Sequence, residues 1–236
     1  MKTLTAIALA TTLVVALSGG AIAASVSLHG DTATTQVDNL NPNTNYGTGP
    51  QITTYGSWSN SAGKWQYMNT YWYFDLSSLA NFSGSNITSA TLSLVGWQSW
   101  ANGTPTIDVY RITEGWTENG ATWNSRDGVN AWTTPGGTYT TAGSVEYVAT
   151  APTSTVNVTN IVQAWANGQS NYGFLLHWNS DICAGSYIYN NHKNTWNPNE
   201  LPTLAISYAP VPEPSSVLAL LVGVTSLAGG LIRRRK

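Results

Sequence analysis

Apolar and polar residues alternate with period two along most of this chain, and almost nowhere with the period of a helix. In 65–74, Met68, Trp72 and Phe74 share one parity while Trp65, Tyr67, Tyr71 and Tyr73 share the other. In 90–97, Ala90, Leu92 and Leu94 alternate with Thr91, Ser93, Val95 and Trp97; the leucine face is the natural core, which sends Trp97 outward. Further strands are expected at 25–28, 34–37, 107–112, 144–149, 155–158, 174–178, 186–189 and 204–208, with turn-forming segments such as the Asn/Pro/Gly-rich 41–50 between them. One short helix interrupts the pattern. Thr159 can cap it, Ile161, Val162 and Trp165 fall on one face, and Gly168 ends it. The expected fold is all-β, a jelly-roll-like antiparallel β-sandwich with one short helix and no internal repeat.

Two apolar runs lie outside this pattern. Residues 4–17 follow Met1 and Lys2 and lead to Ala21, Ile22 and Ala23, the small-x-small pattern of a secretory signal peptide, so 1–23 is expected to be removed and 24–209 exported. At the other end Val211, Pro212, Glu213 and Pro214 precede an apolar run at 217–232 that stops at Arg233, Arg234, Arg235 and Lys236. That run is expected to form one C-terminal transmembrane helix, slightly short for a bilayer, with the basic tail left in the cytoplasm. The tripartite arrangement of 210–236 resembles the PEP-CTERM sorting signal of exopolysaccharide-producing Gram-negative bacteria. The resemblance implies an exosortase-type processing enzyme and a cell-surface or matrix destination.

Composition narrows the partners. Only 8% of residues are charged, against about 25% in an average protein. Between 24 and 210 four basic side chains (Lys64, Arg111, Arg126, Lys193) face ten acidic ones, a formal charge of −6, which argues against nucleic acid. Cys183 is the only cysteine, so no intramolecular disulfide forms.

The most informative stretch is the strand around Val109, Arg111 and Thr113 running into Trp116, Thr117, Glu118, Asn119, Gly120, Ala121, Thr122, Trp123 and Asn124. It resembles the signature of the DNRLRE (disaggregatase-related) family of extracellular β-sandwich modules. Other matching blocks follow in order: Asn43, Thr44, Asn45, Tyr46, Gly47; Phe74, Asp75, Leu76; Ile87, Thr88, Ser89, Ala90; Ile161, Val162, Gln163, Ala164, Trp165; Asn171, Tyr172, Gly173, Phe174; and Leu201, Pro202, Thr203, Leu204. The resemblance covers about 29–209 and implies a module similar to carbohydrate-binding domains. It also implies that Trp72 and Phe74 face the core. Tyr67, Tyr71 and Tyr73 then join Trp65 and Trp97 on an outward aromatic surface that polysaccharide rings can stack on, extended at its rim by Trp100 and Trp196. The alternative is that loops such as 56–64 or 98–104 fold over this face and bury it as a second small core. Trp116 and Trp123 are expected to be mostly buried, with Glu118 bonded to backbone N–H groups.

No convergent catalytic set stands out, and the module is read as non-catalytic. Glu114 or Glu118 with Asp108 or Asp127 is the weak glycosidase pairing, and the scattered His29, His177 and His192 do not make a zinc site. Asp31, Asp38 and Asp75 are candidate oxygen ligands for a structural calcium of the kind such modules carry. The rivals to a glycan-binding module are a structural biofilm-matrix protein without a sugar site and a polysaccharide hydrolase or lyase.

Overall fold

The computed structural model describes residues 23–179 and 183–209. The expected signal sequence before Ala23 and the sorting segment from 210 onward, with Val211, Pro212, Glu213, Pro214 and Arg233 to Arg235, lie outside the described residues. Among the described residues no helix is long and apolar enough to cross a membrane.

Eleven strands form one curled, wholly antiparallel sheet folded into two layers. One layer is β1 (Ala24–His29), β11 (Thr203–Ala209), the first part of β5 (Asn86–Ala101) and β8 (Thr153–Asn157). The other runs from the second part of β5 through β10 (Gly185–Asn190), β3 (Gln51–Ser59), β4 (Lys64–Tyr73), β9 (Phe174–Trp178), β6 (Thr106–Ile112) and β7 (Tyr139–Val148). Strand β2 (Ala33–Asp38) pairs with the second half of β4. The long β5 is the hinge of the architecture. Residues 86–95 pair with β11 and β8, and from Gly96 onward the strand pairs with β10 in the other layer. Gly96 permits this crossing because β10 comes so close that an added Cβ would lie 2.1 Å from the Ile188 carbonyl oxygen.

Between the layers sits the main core, with Trp72, Phe74, Leu92, Leu94, Ile107, Phe174, Trp178 and Tyr189 among its fully buried side chains. The inward assignment of Trp72, Phe74, Leu92 and Leu94 is therefore correct. Helix α1 (Thr159–Ala166) packs against β5 and β7 and drives Ile161, Val162 and Trp165 into this core. Thr159 does not cap it. The N-cap is Val158, without a side-chain cap, and the Thr159 hydroxyl instead accepts the Ala90 N–H of β5 at 2.9 Å.

Strand β3 was not expected from the sequence. Its inward positions are Ile52, Thr54 and Gly56, because the Trp178 ring fills the space over Gly56, where a Cβ would come within 2.2 Å of it. The hydrophobic half of the alternation is thus supplied from another strand.

Gly96→Ala is expected to force β5 and β10 apart and destabilise the protein by about 1–3 kcal/mol or more. Urea unfolding measures it, and an unchanged midpoint would mean that the layer crossing is looser than this geometry.

Candidate functional site

The expected aromatic face divides into separate neighbourhoods, and the pairing of the strands explains how. Across β5, β10, β3 and β4 the register places Trp100 beside Ser186, Tyr55 and Met68 in one row, and Trp97 beside Ile188 and Thr53 in the next. Residues directly opposite each other share a face, and Tyr187 and Tyr189 point into the core, so both rows lie on the outer surface. Trp97 and Trp100 are three residues apart, a spacing that puts them on opposite faces of a regular strand. A register shift between Ser186 and Tyr187 removes the conflict. The small Ser186 between them then lets Trp100 and Tyr55 meet edge to face, with ring centres 6.3 Å apart. Trp97 and Trp100 remain 41% and 43% exposed. Trp100 and Tyr55 meet, and Trp97 stands in the next row of the same outer face; we term these three residues the platform.

Trp65 and Tyr67 are not on this face. They pair with Trp58 and Gly56, whose parity along β3 is opposite to that of Tyr55, and Tyr67 packs against the main core. Their rings lie 6.2 Å apart and nearly parallel, beside the half-exposed Trp58 at the far end of the β3–β4 hairpin. Strand β4 changes partners at Met68, from β3 to β2 and β9, so one parity does not describe all ten of its residues.

Tyr71 does face away from the main core, as its alternation implies, but it is completely buried. It belongs to a second core with Val37, Ile112, Ala121, Trp132 and Leu175, roofed by the long connection between β6 and β7. A second small core does form over Tyr71, but residues of the signature stretch and of the connection behind it cover it, not the expected loops 56–64 or 98–104, which fall largely in strands β3 and β5. Trp116 and Trp123 pack at its edge, largely but not fully buried. The fully inserted tryptophan is Trp132, 4% exposed, whose indole N–H donates to the Thr122 carbonyl at 3.0 Å. Tyr73 lies at the far end of β4, half-buried in a cleft. Trp196 is 78% exposed on the loop after β10, and no ring contact ties it to Trp97 or Trp100 among the described residues.

The signature blocks converge on this roof. Asn45 donates to the carbonyls of Glu118 and Ala121 at 2.8 and 2.7 Å, and Gly47 lies so close that a Cβ would meet the Glu118 oxygen at 2.2 Å. The Trp116 indole donates to the Tyr172 carbonyl, and Asn171 donates to that of Phe74. Glu118 accepts the Thr34 N–H at 2.9 Å and pairs with Lys193. His192 bridges Asp31 and Glu118, at 2.7 and 3.4 Å. These residues are clamps.

Two of the four carboxylates of the weak glycosidase pairing, Glu114 and Asp127, are held on the ionised side. The Thr133 hydroxyl, then its backbone N–H, hold Glu114 below the usual carboxylate range. Hydrogen bonds from the Asn130 side chain and from the Asn130 and Val129 backbone hold Asp127 at about 2. A glycosidase acid needs the opposite shift. The three aspartates considered for calcium are engaged elsewhere: Asp31 with Thr34 and His192, Asp38 with Leu40, Asn41 and Gln66, and Asp75 with Ser77. They do not fit a site that needs six to eight oxygens, and no group of three metal-ligating side chains occurs among the described residues.

The model of carbohydrate-binding module family 96 matches residues 27–207, the whole of the double-layered body. The chain belongs to this family. Among curated proteins, none matches it. The expectation of a carbohydrate-binding β-sandwich module is thereby met at the level of class. Within this family 96 module Tyr55 is the contributor that sequence reasoning missed, because its strand was missed. Trp100, expected only at the rim, joins the face through a bulge, which cannot be seen in one strand alone.

Trp132→Ala is expected to cost about 3–5 kcal/mol, and Trp123→Ala clearly less. Tyr71→Phe removes a buried hydroxyl that has no hydrogen-bond partner, so it is expected to be neutral or stabilising by about 1 kcal/mol. Urea unfolding of the three variants checks this order; equal losses at Trp132 and Trp123 would contradict the assignment of the roof.

Proposed function

We propose that the module binds polysaccharide, without catalysis, through the platform of Trp97, Trp100 and Tyr55. The observation that carries this reading is two tryptophans brought to one outer face by a strand irregularity and left exposed, in a chain belonging to a carbohydrate-binding family. Sugar rings offer flat C–H faces that such rings stack on, and the low charge of the body leaves hydrogen bonding and stacking as the recognition chemistry.

The wider setting is also a proposal, and rests on the terminal segments. A signal peptidase removes 1–23 and the module is exported. An exosortase-type enzyme handles the PEP-CTERM-like segment at 210–236, whose apolar run holds the module at the inner membrane of a Gram-negative cell before its display on the surface or in the exopolysaccharide matrix. The DNRLRE likeness belongs to the same reading.

Electrophoresis of the full chain in mild detergent, through gels containing a panel of neutral and acidic polysaccharides, tests the binding. The wild type is expected to be retarded by at least one polymer. Trp97→Ala with Trp100→Ala should abolish that retardation while leaving the unfolding midpoint nearly unchanged. Retardation of the double variant equal to wild type would place binding elsewhere, and self-association without retardation would favour a structural matrix protein. Protease added to intact spheroplasts should digest the module; its protection until lysis would overturn the topology.

A further inference from the structure

A cleft of about 260 Å³ opens where the end of β4 meets two loops, lined by Ala33, Tyr73, Gly115, Trp116, Asn171 and Tyr172. It lies apart from the platform. Tyr55 of the platform pairs with Met68 on β4, and Tyr73 is five residues further along the same strand, about 17 Å at 3.3 Å per residue. Between them the roof covers Tyr71. Three of the six lining residues are aromatic, and the remaining walls are small or uncharged.

The cleft is held in shape from behind. Trp116 is fixed by its hydrogen bond to the Tyr172 carbonyl and by edge-to-face contact with Tyr71 at 5.5 Å. Asn171 is held at both ends of its amide, donating to the Phe74 carbonyl and accepting from the Gly173 N–H. Gly115 leaves the space open, since a Cβ there would press on the Tyr172 ring at 3.3 Å, and its carbonyl accepts from Arg126. Fixed aromatic walls around a space smaller than the roughly 300–1,000 Å³ of pockets for drug-sized ligands suit one small, partly apolar ring. Burial, with the neighbouring Asp75 second, raises the Tyr73 phenol above its ordinary range, so it stays protonated and can donate to a hydroxyl.

Resting on the carbohydrate-binding reading above, we infer that this cleft is a second carbohydrate site, which takes a single sugar ring between Tyr73, Trp116 and Tyr172. The module is then bivalent. The platform lies along a polymer while the cleft accepts one ring of a second chain or a branch, so that one molecule links two polysaccharide strands.

Calorimetric titration of the full chain in mild detergent tests this, using oligosaccharides of two to six rings prepared from whichever gel polymer retards the wild type. Two sites per chain are expected. Ala33→Leu fills the cleft from a half-exposed position and should leave one site, as should Trp97→Ala with Trp100→Ala; the combination should leave none. Should Ala33→Leu fail to fold, Tyr73→Ser removes a wall instead and should weaken the cleft site at least about tenfold. Retardation of the wild type with one site per chain, or two sites unchanged by the cleft variants, overturns the second site and leaves the platform standing. A wild type retarded by no polymer overturns the platform and the cleft together.

Discussion

The structure depends on an apolar patch on the wrong side of a sheet. Tyr71 on β4 and Leu175 on β9 are cross-strand partners facing away from the main core, and both are completely buried. Their neighbours Trp72 and Phe174 are buried on the opposite face, so the centre of this layer is covered on both sides. An uncovered patch of this kind would cost tens of cal/mol for every Å² left in water. The connection between β6 and β7 covers it, inserting Trp132 and leaning Trp116 and Trp123 against the edge. Because that connection carries no strand or helix, its placement must come from discrete bonds. Asn69 reaches the Gly136 carbonyl, Asn45 clamps Glu118 and Ala121, and the Glu118 carboxylate ties the loop to β2 and to the segment after β10.

This roof decides where anything can bind. It occupies the middle of the outer face, so the exposed aromatic area is forced to the two ends. The platform sits where β5, β10 and β3 lie side by side, and the cleft forms where the roof's own edge meets the end of β4. The residues most characteristic of the sequence therefore shape the surroundings of the proposed ligand surfaces without supplying the platform itself. Trp116 and Tyr172 do both, since each packs against the second core and walls the cleft.

Period-two alternation was enough for ten of the strands and for the inward assignment of Trp72, Phe74, Leu92 and Leu94, because at those positions one face meets apolar neighbours and the other does not. It misled where that premise fails. Tyr71 obeys the alternation yet is buried, because a loop rather than solvent lies over it. The run of Phe174, Leu175 and Leu176, all completely buried, was the available sign of a strand covered on both faces. Strand β3 was hidden because Gly56 yields its place in the core to Trp178, and Trp100 because its orientation is set by a bulge, a property of two strands together. Clamps such as His192 to Asp31 join residues 161 apart, a distance over which one sequence carries no pairing information.

The exposure of Trp97 and Trp100 also limits how strongly the proposed platform would hold a polysaccharide. A large aromatic side chain offers about 150–250 Å², and less than half of each ring remains uncovered. Removing that remainder from water at about 25 cal/mol per Å² gives about 2 kcal/mol per tryptophan before any ordering cost is subtracted. Two tryptophans with Tyr55 at the rim reach about 5 kcal/mol before that cost, so one contact is no tighter than about the sub-millimolar range. Retention of a polysaccharide by so weak a contact requires many contacts acting together, which display of numerous copies on one surface supplies through effective concentration. The small aromatic platform and the proposed anchored display are, in that sense, physically matched: weak single contacts are useful when the modules are held side by side.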